Sequence, residues 1–127
     1  MSELLTPEIK QNLDQKLESL NDRFQDLQQK LSNPDVVNNS RKYAKLAKEH
    51  GSLSEFAEKF KTLQELKERR REAEELRDET ADEDDMQELA REELEECETR
   101  LERLYDEVME MLVEDDGSMD RDIIVEI

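Results

Sequence analysis

The sequence predicts an all-α protein, an antiparallel three-helix bundle or long helical hairpin, with one short β-strand at its end. Three observations carry this. Charged residues make up 44% of the 127, while Gly and Pro occur twice each; that composition leaves few turn residues for a β-sandwich or an α/β fold. Leu and Phe recur in steps of three and four, the spacing that lays a single apolar stripe along a helix. The chain then closes on "MDRDIIVEI", where Ile123, Val125 and Ile127 alternate with Ile124 and Glu126 in the manner of a strand. High charge also suits a disordered chain, but disorder does not hold apolar residues in phase.

The helices are predicted at about residues 7–32, 41–78 and 84–113, within a helical domain covering 1–116. Thr6 supplies a cap, Pro7 fits the first helical position, and Glu8 favours the first turn. Leu13, Leu17, Leu20, Phe24, Leu27 and Leu31 form the first stripe, which Pro34 ends by disfavouring helical geometry at Asn33. "DVVNNS" reads as a connection, with Val36 and Val37 exposed and Asn39 or Ser40 capping the second helix. Tyr43, Leu46, Leu53, Phe56, Phe60, Leu63 and Leu66 continue the spacing, and His50 fills one gap. Gly51 is a soft spot costing about 1 kcal/mol relative to Ala, within a helix expected to remain continuous.

Between Lys67 and Asp85 only Ala73 and Leu76 offer apolar contacts, so this stretch is expected to be the exposed end of two helices and the turn joining them. Met86, Ala90, Leu94, Cys97, Leu101, Leu104, Val108 and Met111 restore the stripe, and Gly117 is the expected stop. Residues 117–127 are read as a linker and a strand. A lone strand leaves its backbone N–H and C=O groups unpaired, and the sequence contains no second strand to pair with it.

The net charge of −18 is unevenly placed. Eleven acidic and eleven basic residues balance through Lys67; from Glu68 onward there are twenty-six acidic and eight basic, all of the latter Arg. Such a surface repels phosphate, so direct DNA binding is not expected, and it suits a basic protein partner. The single cysteine excludes an internal disulfide and favours a reducing compartment. "MSELLTPEIK" lacks the features of a signal peptide, and no apolar run is long enough to span a membrane. A cytoplasmic protein without membrane partner is expected.

No reactive constellation is present, and the chain is read as no enzyme, without cofactor, metal or small-molecule substrate. His50, the only histidine, sits on the helical stripe, which favours a place on a helix face over catalysis. Cys97 lies in the third stripe beside Glu95, Glu96 and Glu98, the opposite of the basic surroundings that activate a thiol. "DETADEDD" and "EDDGSMDRD" fail as calcium loops: counted from Asp78, Glu83 takes the glycine position and Leu89 that of the bidentate carboxylate. "KERRR", Lys67–Arg71, is followed directly by acidic residues, and internal ion pairs such as Arg71 with Glu75 explain at least part of it, with nucleic-acid binding there the minority reading.

"SRKYAKLAKEHGSL" (Ser40–Leu53), "DEDDMQELAREELEE" (Asp82–Glu96) and the closing "DRDIIVEI" occur in the order found in the N-terminal region of bacterial class I peptide chain release factors. The type-1 factor is the nearer likeness, through "KYxxLxKEH" and "DMxxLAxEEL". The resemblance implies that the final strand belongs to an absent central α/β domain that reads the stop codon, and that a further domain carries the Gly-Gly-Gln motif promoting peptidyl-tRNA hydrolysis. Neither Gly-Gly-Gln nor the codon-reading Pro-x-Thr stands in this sequence. Where the family has a Leu-Pro-x-Asp-Pro linker, this chain reads "LVEDDGSMD", and without those prolines the junction is expected to be more flexible.

The chain is therefore read as the N-terminal domain of a release factor that directs translation termination. The resemblance implies two partners: the stalk-base region of the large ribosomal subunit and the release-factor GTPase. Glu68, Asp82, Glu83, Asp84 and Asp85 are the candidate contact residues. The alternative is a free-standing acidic helical adaptor or coiled-coil oligomer with no ribosomal role.

Overall fold

The protein is described by a computed structural model, with backbone from Leu5 to Glu126 and side chains from Leu5 to Glu114. Four helices follow in chain order: α1 (Pro7–Leu31), α2 (Pro34–Val37), α3 (Ser40–Glu79) and α4 (Asp84–Glu126). The all-α expectation holds. Thr6 caps α1 as expected, its Oγ1 accepting the Ile9 N–H at 3.2 Å and its carbonyl the Lys10 N–H at 2.9 Å.

The "DVVNNS" connection is more ordered than the sequence suggested. Asn33 is extended at φ −76°, ψ 126°, as a residue before proline should be, and its Oδ1 accepts the Asp35 N–H at 2.9 Å. That cap, with Pro34 at the first helical position, starts the one-turn helix α2. Val36 is consequently buried, not exposed as expected, while Val37 stays outside. Successive side chains on a helix point about 100° apart, so one turn presents its two valines to different surroundings. Asn39, not Ser40, caps α3: its Oδ1 accepts the Lys42 N–H at 3.1 Å. α3 runs unbroken through Gly51.

The chain forms two compact units, Gln11–Thr62 and a second made of the residues up to Lys10 with those from Leu63 onward. In the Gln11–Thr62 unit, α1 and the first part of α3 form a hairpin through α2. Leu13, Leu17, Leu27, Val36 and Phe56 are its buried apolar residues. Phe24 stacks on His50 with centroids 4.2 Å apart and planes 18° from parallel. Beside them Arg23 donates two hydrogen bonds to Glu49, at 2.7 and 2.9 Å, the bidentate geometry that suits guanidinium and carboxylate. Tyr43, expected in the buried stripe, is 41% exposed, because the stripe overruns the core in the first turn of α3.

In the second unit the later part of α3 pairs with α4. Leu63, Leu66 and Ala73 are buried on α3, and Ala90, Leu94, Cys97, Leu101, Leu104 and Val108 on α4. Leu5 and Tyr105 join this core, and Lys10 Nζ lies 2.9 Å from Glu102 Oε1 and 5.9 Å above the Tyr105 ring. Met86, expected to begin the buried stripe of α4, is exposed, and the stripe begins at Ala90. The stop expected at Gly117 does not occur, since the α4 backbone continues to Glu126. Over residues 123–126, where the strand was expected, the backbone is helical; Ile127 lies outside the described residues. A helix satisfies its own N–H and C=O groups, whereas this alternating segment needs a neighbouring strand to do so.

Two tests follow from this packing. A Cβ added at Gly51 meets nothing within 4 Å, so Gly51→Ala should stabilise the chain by about 0.5–1 kcal/mol, read as a higher urea midpoint at unchanged m. The hydrogen bond from Arg23 holds the Glu49 carboxyl below its ordinary range. A group lowered on folding contributes stability that is present above its unfolded pKa, about 4.3, and lost as pH falls through the lowered value. The melting-temperature advantage of the wild type over Glu49→Gln should therefore be present at pH 7 and disappear in acid; an advantage that persists in acid contradicts this.

Candidate partner-contact site

The acidic end of the second unit is organised by one buried hydroxyl. α3 stops at Glu79 and α4 starts at Asp84, leaving a four-residue turn. Thr80 is buried within it, donating its hydroxyl to the Leu76 carbonyl at 2.6 Å and accepting from Gln87 Nε2 at 3.5 Å. Gln87 Nε2 also donates to the Arg77 carbonyl, one of the groups that a helix C-terminus leaves without an internal partner. The Glu83 N–H bonds the Thr80 carbonyl at 2.9 Å, and the Gln87 N–H bonds the Glu83 carbonyl at 2.8 Å. One glutamine from α4 thereby holds both sides of the turn.

Held this way, Asp82, Glu83, Asp84 and Asp85 project together as exposed side chains. Asp84 and Asp85 occupy the first turn of α4, where the helix dipole favours negative charge. Glu68 does not belong to this group. It precedes the end of α3 by eleven residues, about 16 Å along the helix. Arg71 grips it as well, donating to Glu68 from Nε at 3.2 Å and from Nη2, and to Glu75 from Nη1. Those bonds hold the Glu68 carboxyl below its ordinary range.

The basic cluster is largely consumed inside the unit. Arg69 crosses to α4, pairing with Glu93 and with Glu96 at 3.5 Å, a contact that spacing along α3 does not reveal. Beneath it lies Cys97, fully buried, its Sγ 3.7 Å from Glu93 Oε1. Burial pushes the thiol above its ordinary pKa, with Arg69 acting against that and Glu93 adding to it. Among the described residues no three His, Cys, Asp or Glu side chains group as a metal site, and no helix is long and apolar enough to cross a membrane.

Sequence reasoning missed a feature next to the acidic turn. Arg69, Glu72, Ala73, Leu76, Leu89 and Glu93 line a groove of about 370 Å³ between α3 and α4. Ala73 is its buried floor, Leu76 is half-buried, and Leu89 remains 53% exposed. The signal was available: Leu89 and Met86 are three residues apart on a helix whose buried stripe passes through Ala90 instead.

The later part of α3 and α4 thus form a helical hairpin that ends in an exposed acidic turn. The chain belongs to the PCRF domain family, whose profile it matches over residues 20–127. It is 37% identical over 112 residues to peptide chain release factor 1 of Alkaliphilus oremlandii, covering 88% of this chain and 31% of that protein. The proteins of the same name from Oleidesulfovibrio alaskensis and Clostridioides difficile are 35% and 34% identical, with the same coverage of both chains. The chain thus spans about a third of the length of the curated relatives it matches. No solved structure matches it.

The buried thiol gives a direct check on this packing. Cys97 should resist alkylation by iodoacetamide at pH 8 in the folded protein and react fully in denaturant, a contrast of at least about 100-fold in rate, because the thiolate is the nucleophile and burial disfavours it. Comparable rates in both states would contradict its placement.

Proposed function

We propose that this chain is the N-terminal helical domain of a cytoplasmic peptide chain release factor that directs translation termination at stop codons. It serves as an interaction module facing the stalk-base region of the large ribosomal subunit and the release-factor GTPase. It carries no catalytic step of its own. The observation that carries the reading is the match itself: nearly nine-tenths of the chain aligns with about a third of several proteins named peptide chain release factor 1. The sequence agrees in holding neither the codon-reading tripeptide nor Gly-Gly-Gln.

The exposed carboxylates of Asp82–Asp85 support the binding role. Fixed charges at the rim of an interface act mainly by steering encounter with an oppositely charged partner, an effect that salt screens. Basic ribosomal proteins are suitable partners for such a surface, and bare RNA is not.

Replacing Asp82, Glu83, Asp84 and Asp85 by Lys should weaken binding to isolated large ribosomal subunits roughly ten-fold at low salt, through slower association. Glu68→Lys should have a much smaller effect, since Glu68 is already paired with Arg71 and lies away from the turn. Unchanged association of the fourfold variant at low salt would remove the acidic turn from the proposed contact.

A further inference from the structure

We infer that the groove between α3 and α4 is a docking site for a basic amphipathic helix on a partner protein. Leu89 is the most telling residue. A 53% exposed leucine beside half-buried Leu76, over the buried Ala73, makes an open apolar strip, and Arg69, Glu72 and Glu93 stand around it. A helix laid in such a groove buries residues spaced i, i+3, i+4 and i+7, and so covers the strip with one face.

Charge selects which helix that is. From Glu72 to Glu93 there are twelve acidic residues and two basic ones. Of the cations nearest the strip, Arg69 is committed to Glu93 and Glu96. An acidic or neutral helix would meet repulsion or gain nothing at the rim, whereas Lys and Arg on the flanks of a docked helix meet Glu72 and the surrounding acidic surplus. The groove supplies the apolar contact and the surroundings supply the choice of partner. The inference deepens the interaction role proposed above and rests on it for biological context, but it is testable without ribosomes.

The probe is a fluorescent 18-residue peptide with Leu at helical i, i+3, i+4 and i+7 spacing and Lys elsewhere, compared with a scrambled peptide of identical composition. The amphipathic peptide should bind the chain at least ten-fold more tightly than the scrambled one. Leu89→Glu separates the groove from charge alone, because it adds a negative charge while removing the apolar contact, and an exposed position tolerates it without loss of helical circular dichroism. Docking predicts at least ten-fold weaker binding of the amphipathic peptide to this variant. Equal or tighter binding, or equal affinity for the scrambled peptide, would overturn the inference. So would concentration-dependent dimerisation of the chain that Leu89→Glu abolishes, since a second copy would then occupy the strip. Loss of large-subunit association in the fourfold lysine variant bears on the proposed function and leaves the comparison of peptides on the wild-type groove standing.

Discussion

A helix can bury only one stripe of its surface, and α3 has to satisfy that constraint twice along its 40 residues. Its first part contributes Phe56 to the Gln11–Thr62 unit, and its later part contributes Leu63, Leu66 and Ala73 to the other. Neither part could remain helical on propensity alone, since helices in water draw most of their stability from packing of an apolar face. The capping chemistry around Asn33, Asn39 and Thr80 is subordinate to this requirement. It fixes where helices stop and restart so that each stripe meets an opposing one.

Charge is distributed according to the same logic. Where two helices pack, opposite charges flank the seam: Arg23 with Glu49 in one unit, Lys10 with Glu102 and Arg69 with Glu93 in the other. These pairs are partly exposed and individually modest in energy, so their larger role is to favour one register of the seam over its neighbours. Beyond Leu76 the packed stripe of α3 gives out, and between Arg77 and Asp85 six acidic residues stand against one basic residue. Four consecutive carboxylates are tolerable because two of them stand at the start of α4 and all four face water. Those four carboxylates add a local negative field at this turn to the acidic surplus spread along α4.

Much of this was legible in the sequence because it depends on local chemistry. The Thr6–Pro7 start, the Asn33–Pro34 stop and the continuity of α3 through Gly51 follow from caps, proline geometry and the modest cost of a single glycine. What escaped depends on three-dimensional neighbours. Val36 looked like a loop residue until Asn33 and Pro34 folded it into a helical turn. Tyr105, four residues after Leu101, widens the α4 stripe beyond a strict heptad and becomes buried. Met86 and Leu89 fit a helical spacing yet remain outside, because periodicity reports which face is apolar and not how far the opposing helix extends. Of the candidate contact residues, Asp82–Asp85 were readable as a charge run, whereas the pairing of Glu68 with Arg71 was a matter of side-chain geometry.

The same distinction separates the chain's family from its mechanism of action. The family follows from motifs in order along 108 aligned positions, residues 20–127, and needs no knowledge of any contact. Any recognition of a partner by such a domain would fall to the few residues that the core does not use. The buried stripes are common to any helical hairpin of this length, so they carry little information about binding. Exposed Leu89 and the carboxylates of Asp82–Asp85 are among the positions where the sequence departs from what folding alone requires, as are exposed Val37 and Val113. An apolar residue left in water gains nothing for the isolated chain, and clustered like charges work against it. Both become favourable only against a partner that is apolar on one face and basic around it, which makes the local expense of these residues an argument for recognition.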